Sequence, residues 1–415
     1  MFRPTGVRRF ACLLAASLAL CSTAGAKPAA QGWLGSWASS QQSLDAYQTL
    51  MPFMLEDSTL RMVVHLSAGG SRIRVRISNA FGSQPMHVGH VGIARALSPL
   101  TGEIVPQTSR ILTFSGSREV TVPAGAEYWS DPVELAVAPL SDLAISIYFA
   151  QGPGVQTGHP GARQLSWIGK GDQTAAVQVV EADPSSQWWQ LSGVDVWLPR
   201  PGGAVVVLGD SITDGLGVKP GTNTRWTDRL AERLQTAGLR SFGVLNAGIG
   251  GNHVLTDGLG PNALARLDRD VLLQSGVRTV IVFEGVNDLG GLAREGPVNA
   301  SAHAGLVKNL IAAYAQIVAR AREHGLRIIG ATITPFGGSD YYHPDVPTEA
   351  DRQAINAWIR APGHFDSVID FDQVLRDPAK PDHLKQEFDS GDHLHPSAAG
   401  YRALGNAVPL RLLLP

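Results

Sequence analysis

Val205-Val206-Val207-Leu208-Gly209-Asp210-Ser211-Ile212-Thr213 is an apolar, mostly β-branched run that stops at Gly-Asp-Ser. The run reads as a buried strand. Gly-Asp-Ser reads as a tight turn at its carboxyl end, presenting one hydroxyl. In open α/β sheets, ligands bind at that edge. A serine hydroxyl needs a base before it acts as a nucleophile. Asp392-His393-Leu394-His395-Pro396, far along the chain, supplies such a base with an aspartate close by. The order Ser…Asp…His suits a catalytic triad, which is defined by roles rather than by spacing.

Gly-Asp-Ser alone reads equally well as a turn with an N-capping serine. Two more segments decide between the readings. Asn246-Ala247-Gly248-Ile249-Gly250-Gly251-Asn252 follows a second apolar strand, Ser241 to Leu245, and Glu284-Gly285-Val286-Asn287-Asp288 follows a third, Thr279 to Phe283. Serine, glycine, asparagine and histidine thus each stand just past an expected strand or at a helix entry. This set resembles the SGNH (GDSL-type) hydrolase family. Its blocks match as Gly209-Asp210-Ser211, the Gly251 loop, Gly285-x-Asn287-Asp288 and Asp392-x-x-His395, over roughly residues 203 to 413. The resemblance implies a three-layer, flavodoxin-like sheet, ester hydrolysis through an acyl-enzyme, no cofactor, and an oxyanion hole made by Ser211, Gly251 and Asn287.

The residues support those roles chemically. Ser211 is the expected nucleophile and His395 its base. Asp392, three residues earlier, is placed to fix the tautomer of His395 and stabilise its imidazolium. Gly251 lets the backbone approach a substrate closely. Asn287 offers a neutral amide donor to a developing oxyanion. Asp210 and Asp288 read as loop braces that accept from backbone N–H groups. Candidates for substrate contact are Glu284, His253, Phe336, Tyr341 and Tyr342, with His343 and His393 nearby; exposed loop positions explain each equally well. Gly248 to His253 is no dinucleotide loop, because His253 stands where glycine is needed. Asp389, Asp392, His393 and His395 lack a further identifiable ligand, so no metal is expected.

The amino terminus reads as a cleavable signal peptide, residues 1–26. Arg3, Arg8 and Arg9 precede the apolar run Phe10 to Leu20, and Ala24-Gly25-Ala26 is a small-residue cleavage site. The run is too short to span a bilayer, so stable membrane insertion is not expected. Arg8-Arg9 hints at twin-arginine export, with a poor continuation, and Cys21 at lipidation, with a poor preceding residue. Both cysteines, Cys12 and Cys21, lie in this segment, so the remaining chain has no disulfide. The net charge is −2, or −5 without the three arginines. No basic tract marks a nucleic-acid partner.

The rest divides in two. Residues 27–200 read as an all-β sandwich or jelly roll, with short strands between turn-rich stretches. Leu60 to Leu66 and Arg72 to Ile77 flank Gly69-Gly70, which predicts a hairpin. From residue 201 to 415, apolar strands (204–208, 242–245, 279–283, 326–333, 367–371) alternate with helical patterns. That alternation predicts a doubly wound parallel α/β sheet. In helix 303–324, Leu306, Leu310, Ala313, Ile317 and Ala321 form one stripe. Thr348 to Asp351 resembles a capping box. Pro199 to Gly203 is the linker, and with no disulfide the halves are expected to pack through an apolar interface.

Together these readings point to a secreted or periplasmic serine esterase acting on a small-molecule or polysaccharide ester. A carbohydrate acyl ester is favoured. Some carbohydrate esterases of the family it resembles carry a β jelly roll ahead of the hydrolase domain, and Trp33, Trp37, Trp188 and Trp189 are available to stack on sugars. The alternatives are a lipid esterase of the lysophospholipase kind and a non-catalytic carbohydrate-binding protein that keeps the fold.

Overall fold

The computed structural model describes residues 1–2 and 32–414. The expected signal peptide, with both cysteines, lies almost wholly outside the described residues. Among them, no helix is long and apolar enough to cross a membrane.

Five strands carry the amino-terminal architecture: β1 (Gly32–Ala38), β2 (Ser58–His65), β3 (Gly70–Ser78), β4 (Asp142–Phe149) and β5 (Leu191–Leu198). β1, β5 and β3 are neighbours in one sheet, and β2 and β4 in another, all pairing antiparallel. Ile73, Val75 and Ile77 of β3 and Leu60, Met62 and Val64 of β2 fill one core at every second position. The same alternation leaves Arg72 and Arg74 half-buried on the other face. Gly69-Gly70 does not close the expected hairpin, because β2 and β3 belong to different sheets. The turn carries the chain across the sandwich. A Cβ on Gly69 would stand 2.5 Å from the Val137 carbonyl oxygen. A short glycine turn serves an arch between sheets as readily as a hairpin, and only the opposing sheet distinguishes them.

The second half runs β6 (Gly203–Gly209), α1 (Ser211–Asp214), α2 (Trp226–Thr236), β7 (Phe242–Gly248), β8 (Val277–Phe283), α3 (Val286–Leu292), α4 (Ala300–Glu323), β9 (Arg327–Ala331), α5 (Val346–Arg360), β10 (Ser367–Ile369) and α6 (Ala398–Ala407). The parallel sheet has the order β7-β6-β8-β9-β10. The first strand therefore lies between the second and the third, which makes the carboxyl end of β6 a topological switch point. Val205 to Leu208 are wholly enclosed, as a central strand covered on both faces must be. Register sets Gly209 level with Gly248 on one side and with Phe283 on the other. Three strand ends thus meet at one edge.

α4 buries Leu310, Ala313, Ile317 and Ala321 as the stripe requires. The cap of α5 is Asp345, whose carboxylate accepts from the Thr348 N–H at 2.9 Å. Thr348 is thus inside the helix rather than its cap, and Pro347 occupies the first turn, where no N–H is needed.

β7 is the edge of the parallel sheet, and β1 crosses it. A Cβ on Gly243 would stand 2.1 Å from the Gly35 carbonyl oxygen, so the two backbones touch. The Gly35 N–H donates to the Ser275 carbonyl at 2.9 Å, and the Val244 N–H donates to Ser67 Oγ at 2.9 Å. Arg74 reaches Ser275 Oγ, and Arg76 reaches Gln274. Leu34 and Leu245 belong to one core that runs through both halves. The contact is more polar than expected, because an edge strand exposes N–H and C=O groups that need partners.

Candidate active site

Ser211 is the first residue of α1, straight after the end of β6. The Asp210 carboxylate caps that helix, accepting from the Ile212 N–H at 2.9 Å. Gly215, with φ +91°, ends it. Gly209 admits the sharp turn, since a Cβ there would lie 2.1 Å from Thr213 Oγ1. Ser211 is 5% exposed. Its hydroxyl lies 2.8 Å from His395 Nε2.

His395 stands in the loop before α6. Ser397 caps that helix through the Gly400 N–H, with Pro396 one residue outside it. Asp392 Oδ2 lies 2.6 Å from His395 Nδ1, and Asp392 Oδ1 accepts from the backbone N–H groups of Leu394 and His395. A carboxylate only accepts, so Nδ1 carries the proton and Nε2 is the acceptor for the Ser211 hydroxyl. Partial burial works against ionisation of Asp392. The bonds from the His395 ring and from the two backbone N–H groups outweigh it and hold the carboxyl well below the usual range. The relay can move a proton from Ser211 to His395 without protonating Asp392.

The Gly251 loop lies beside Ser211. The Ile249 N–H donates to the Gly209 carbonyl at 3.0 Å, and Gly251 itself takes φ +68°, a backbone state that suits glycine. Asp288 carboxylate oxygens accept from the Val254 and Leu255 N–H groups and so brace this loop. Asn287, in the first turn of α3, donates from Nδ2 to the Asn252 carbonyl at 2.6 Å and accepts at Oδ1 from the Tyr342 hydroxyl at 2.6 Å. The Ser211 and Gly251 backbone N–H groups have no partner among the described residues. The two free backbone N–H groups and the Asn287 amide are donors of the kind an oxyanion needs.

Beneath them lies Arg266, 1% exposed, for which the sequence shows no distinguishing signal. Its guanidinium donates to the carbonyls of Gly209 and Ala247, to Asn252 Oδ1, to Ser40 Oγ, and to Glu284 and Asp270. One side chain thus ties the ends of β6 and β7, the Gly251 loop and the amino-terminal half. The planar five-donor fork of arginine is suited to such a hub. Asp210, Glu284 and Asp288 crowd the same edge. Burial pushes Asp210 up to about 7, and burial with the Asp210 charge pushes Glu284 well above the usual carboxylate range.

The substrate-contact candidates separate in space. Glu284 is fully enclosed against Arg266, and Phe336, 1% exposed, is core. Phe336 stands in the loop after β9 and lines a surface pocket with Gly337, Pro344, Val346 and Pro381. Tyr342 is buried on Asn287. Half-buried His253 lies beside the Gly251 loop, and a Cβ on Gly291 would come 3.7 Å from its Nε2. Tyr341 is 53% exposed, with the Arg294 guanidinium 4.0 Å above its ring. His343 and His393 are exposed, and His393 pairs with Asp389. Among the described residues, no group of three or more His, Cys, Asp or Glu side chains has a metal-binding arrangement. Trp37, Trp188 and Trp189 are buried, so they pack rather than stack on sugars. Half-buried Trp33 sits edge-on to Trp197 beneath Arg74.

The family model for GDSL-like lipases and acylhydrolases matches residues 207–403. Among solved structures, an acetylxylan esterase from Geobacillus stearothermophilus is 22% identical, covers 51% of this chain and 94% of its own, and has a TM-score of 0.39. A lipase/acylhydrolase from Enterococcus faecalis is 21% identical, with 49% and 92% covered and a TM-score of 0.37. A GDSL-like lipase from Bacteroides thetaiotaomicron VPI-5482 is 17% identical, with 51% and 88% covered and a TM-score of 0.38. No curated protein sequence matches significantly. Residues 207–403, just under half of the chain, thus carry a domain that matches the GDSL-like lipase/acylhydrolase family.

Proposed function

We propose that the protein is an exported serine esterase that removes short acyl groups, acetyl foremost, from carbohydrate esters. The observation that carries the catalytic reading is the unbroken relay Ser211 Oγ, His395, Asp392, at 2.8 and 2.6 Å. Ser211 Oγ attacks the ester carbonyl carbon as His395 Nε2 takes its proton. The carbonyl oxygen gains charge and is met by the Ser211 and Gly251 N–H groups and by Asn287 Nδ2. The intermediate collapses, the carbon–oxygen bond to the alcohol breaks, and His395 returns the proton to the leaving alkoxide. Water then repeats the sequence on the acyl-enzyme and releases the acid. Asp392 stays ionised and holds the imidazolium.

The carbohydrate reading is supported by exposed Tyr341 with Arg294, next to the Asn287–Tyr342 pair: an aromatic face and a hydrogen-bond donor at the rim. Export is supported by the arginines, apolar run and small-residue site of residues 1–26. One observation favours a lipid ester instead. Leu259, 57% exposed, lies where a Cβ on Gly251 would meet its side chain at 3.1 Å. Hydrolysis of nitrophenyl esters from acetyl to decanoyl, beside acetylated xylan, decides. A preference for acetyl with release from xylan supports the proposal, and a preference for long chains replaces it with the lipid reading. Labelling by a serine-directed fluorophosphonate, lost in Ser211→Ala, excludes a non-catalytic binding protein.

A further inference from the structure

The Asn287 amide has two N–H donors and one carbonyl acceptor. One N–H is spent on the Asn252 carbonyl and the acceptor on the Tyr342 hydroxyl. One N–H remains. We propose that Tyr342 is a positioning residue, which fixes the orientation of the Asn287 amide and strengthens its remaining N–H toward the oxyanion. The inference rests on the reading of Asn287 as an oxyanion donor.

Orientation follows from the partners. Turning the amide through 180° would set Oδ1 against the Asn252 carbonyl, two acceptors face to face, and the bond would be lost. The tyrosine adds a second lock at the opposite end. Its donation into Oδ1 also draws charge from the nitrogen, so the N–H groups of the buried Asn287 amide become better donors. Burial raises the ionisation of Tyr342 well above the ordinary tyrosine range, which keeps the hydroxyl a donor wherever His395 works as a base.

The surroundings are shaped for this ring. Gly290 lies one turn after Asn287 on α3. A Cβ there would stand 2.3 Å from Tyr342 Cγ, so the helix opens a notch where the ring passes. Phe336 and Tyr341 hold the ring edge-on, with centroids 6.2 and 4.7 Å away. The hydroxyl itself is bonded to the amide and not to the reacting atoms, so the residue acts through Asn287.

The test is a double-mutant cycle on the full chain with nitrophenyl acetate. Tyr342→Phe keeps the ring and removes one hydrogen bond. It is expected to lower kcat about tenfold with KM unchanged, the scale of one such bond. Gly290→Ala displaces the ring without removing the hydroxyl and should give a similar kcat loss. In an Asn287→Ala background, Tyr342→Phe should cost nothing further. An equal loss in both backgrounds, or a loss confined to KM, overturns the proposal. Fluorophosphonate labelling keeps two failures apart. Normal labelling with an unaffected Tyr342→Phe kcat sinks only the role of Tyr342. Absent labelling of the native chain sinks the esterase reading.

Discussion

Asp210→Asn should make the protein's stability less sensitive to pH, and the structure sets the size of the effect. The Asp210 carboxyl is 2% exposed and makes one hydrogen bond, to the Ile212 N–H. Burial is the main cause that lifts its pKa from 3.8 to about 7. Below pH 3.8 the carboxyl is neutral in the folded and the unfolded chain alike. Between 3.8 and about 7 the unfolded chain loses its proton and the folded chain keeps it, so stability falls as pH rises, then levels off. About three pKa units at about 1.4 kcal/mol each make roughly 4 kcal/mol across the whole window. Asparagine can still cap Ile212, but its NH₂ group replaces an oxygen that makes no hydrogen bond, at about 1–3 kcal/mol at every pH. The variant should therefore start behind at pH 5 and close the gap, or pass the native protein, by pH 8. Between those values the difference should move by about 3 kcal/mol. Asp392 does not interfere, since its depressed pKa acts only below the ordinary carboxylate range. The Asp210 charge also raises Glu284, so relief there acts in the same direction. Urea unfolding at pH 5, 6, 7 and 8 measures the difference. Curves that stay parallel within about 0.5 kcal/mol would refute the argument.

Ser211→Ala should leave thermal unfolding within a few degrees of native and lower turnover by at least a thousandfold, read with nitrophenyl acetate. Asn287→Ala should lower kcat roughly 10²–10³-fold; a change in KM alone would make it a binding residue instead. Gly243→Ala forces a methyl into the Gly35 carbonyl and should cost about 1–3 kcal/mol in urea unfolding, with kcat unchanged once folded. A chain starting at Gly202 leaves β7 uncovered and Arg266 without its Ser40 partner. Circular dichroism should show no cooperative melt, and a cooperative melt with native acetyl esterase activity would show that the halves fold independently.

Much of the carboxyl-terminal half was legible because its signals are local. Buried parallel strands read as continuous apolar runs, and the long stripe of α4 has the helical period. The blocks around Ser211, Gly251, Asn287 and His395 each sit at an element boundary, where turn chemistry is distinctive. The errors were also physical. Gly69-Gly70 reads alike for a hairpin and an arch. Thr348 to Asp351 has the spacing of a capping box, yet the helix starts earlier and Asp345, three residues before Thr348, is its cap. Glu284 and Phe336 border the site in sequence, and both turn out to be buried, Glu284 against Arg266.

By itself, then, the sequence determined the alternation that makes a doubly wound sheet, the β character of the first half and the chemical identity of the residues around Ser211. Those properties depend on residues within a few positions of one another. Only the tertiary structure decided how the sheet edge is covered, through β1 crossing β7 at Gly35 and Gly243. It alone placed Arg266 under three strand ends and Tyr342 on Asn287. Such contacts join residues far apart along the chain, and nothing near Arg266 or Tyr342 in sequence distinguishes a charge or ring that ends up in the core from one left in water.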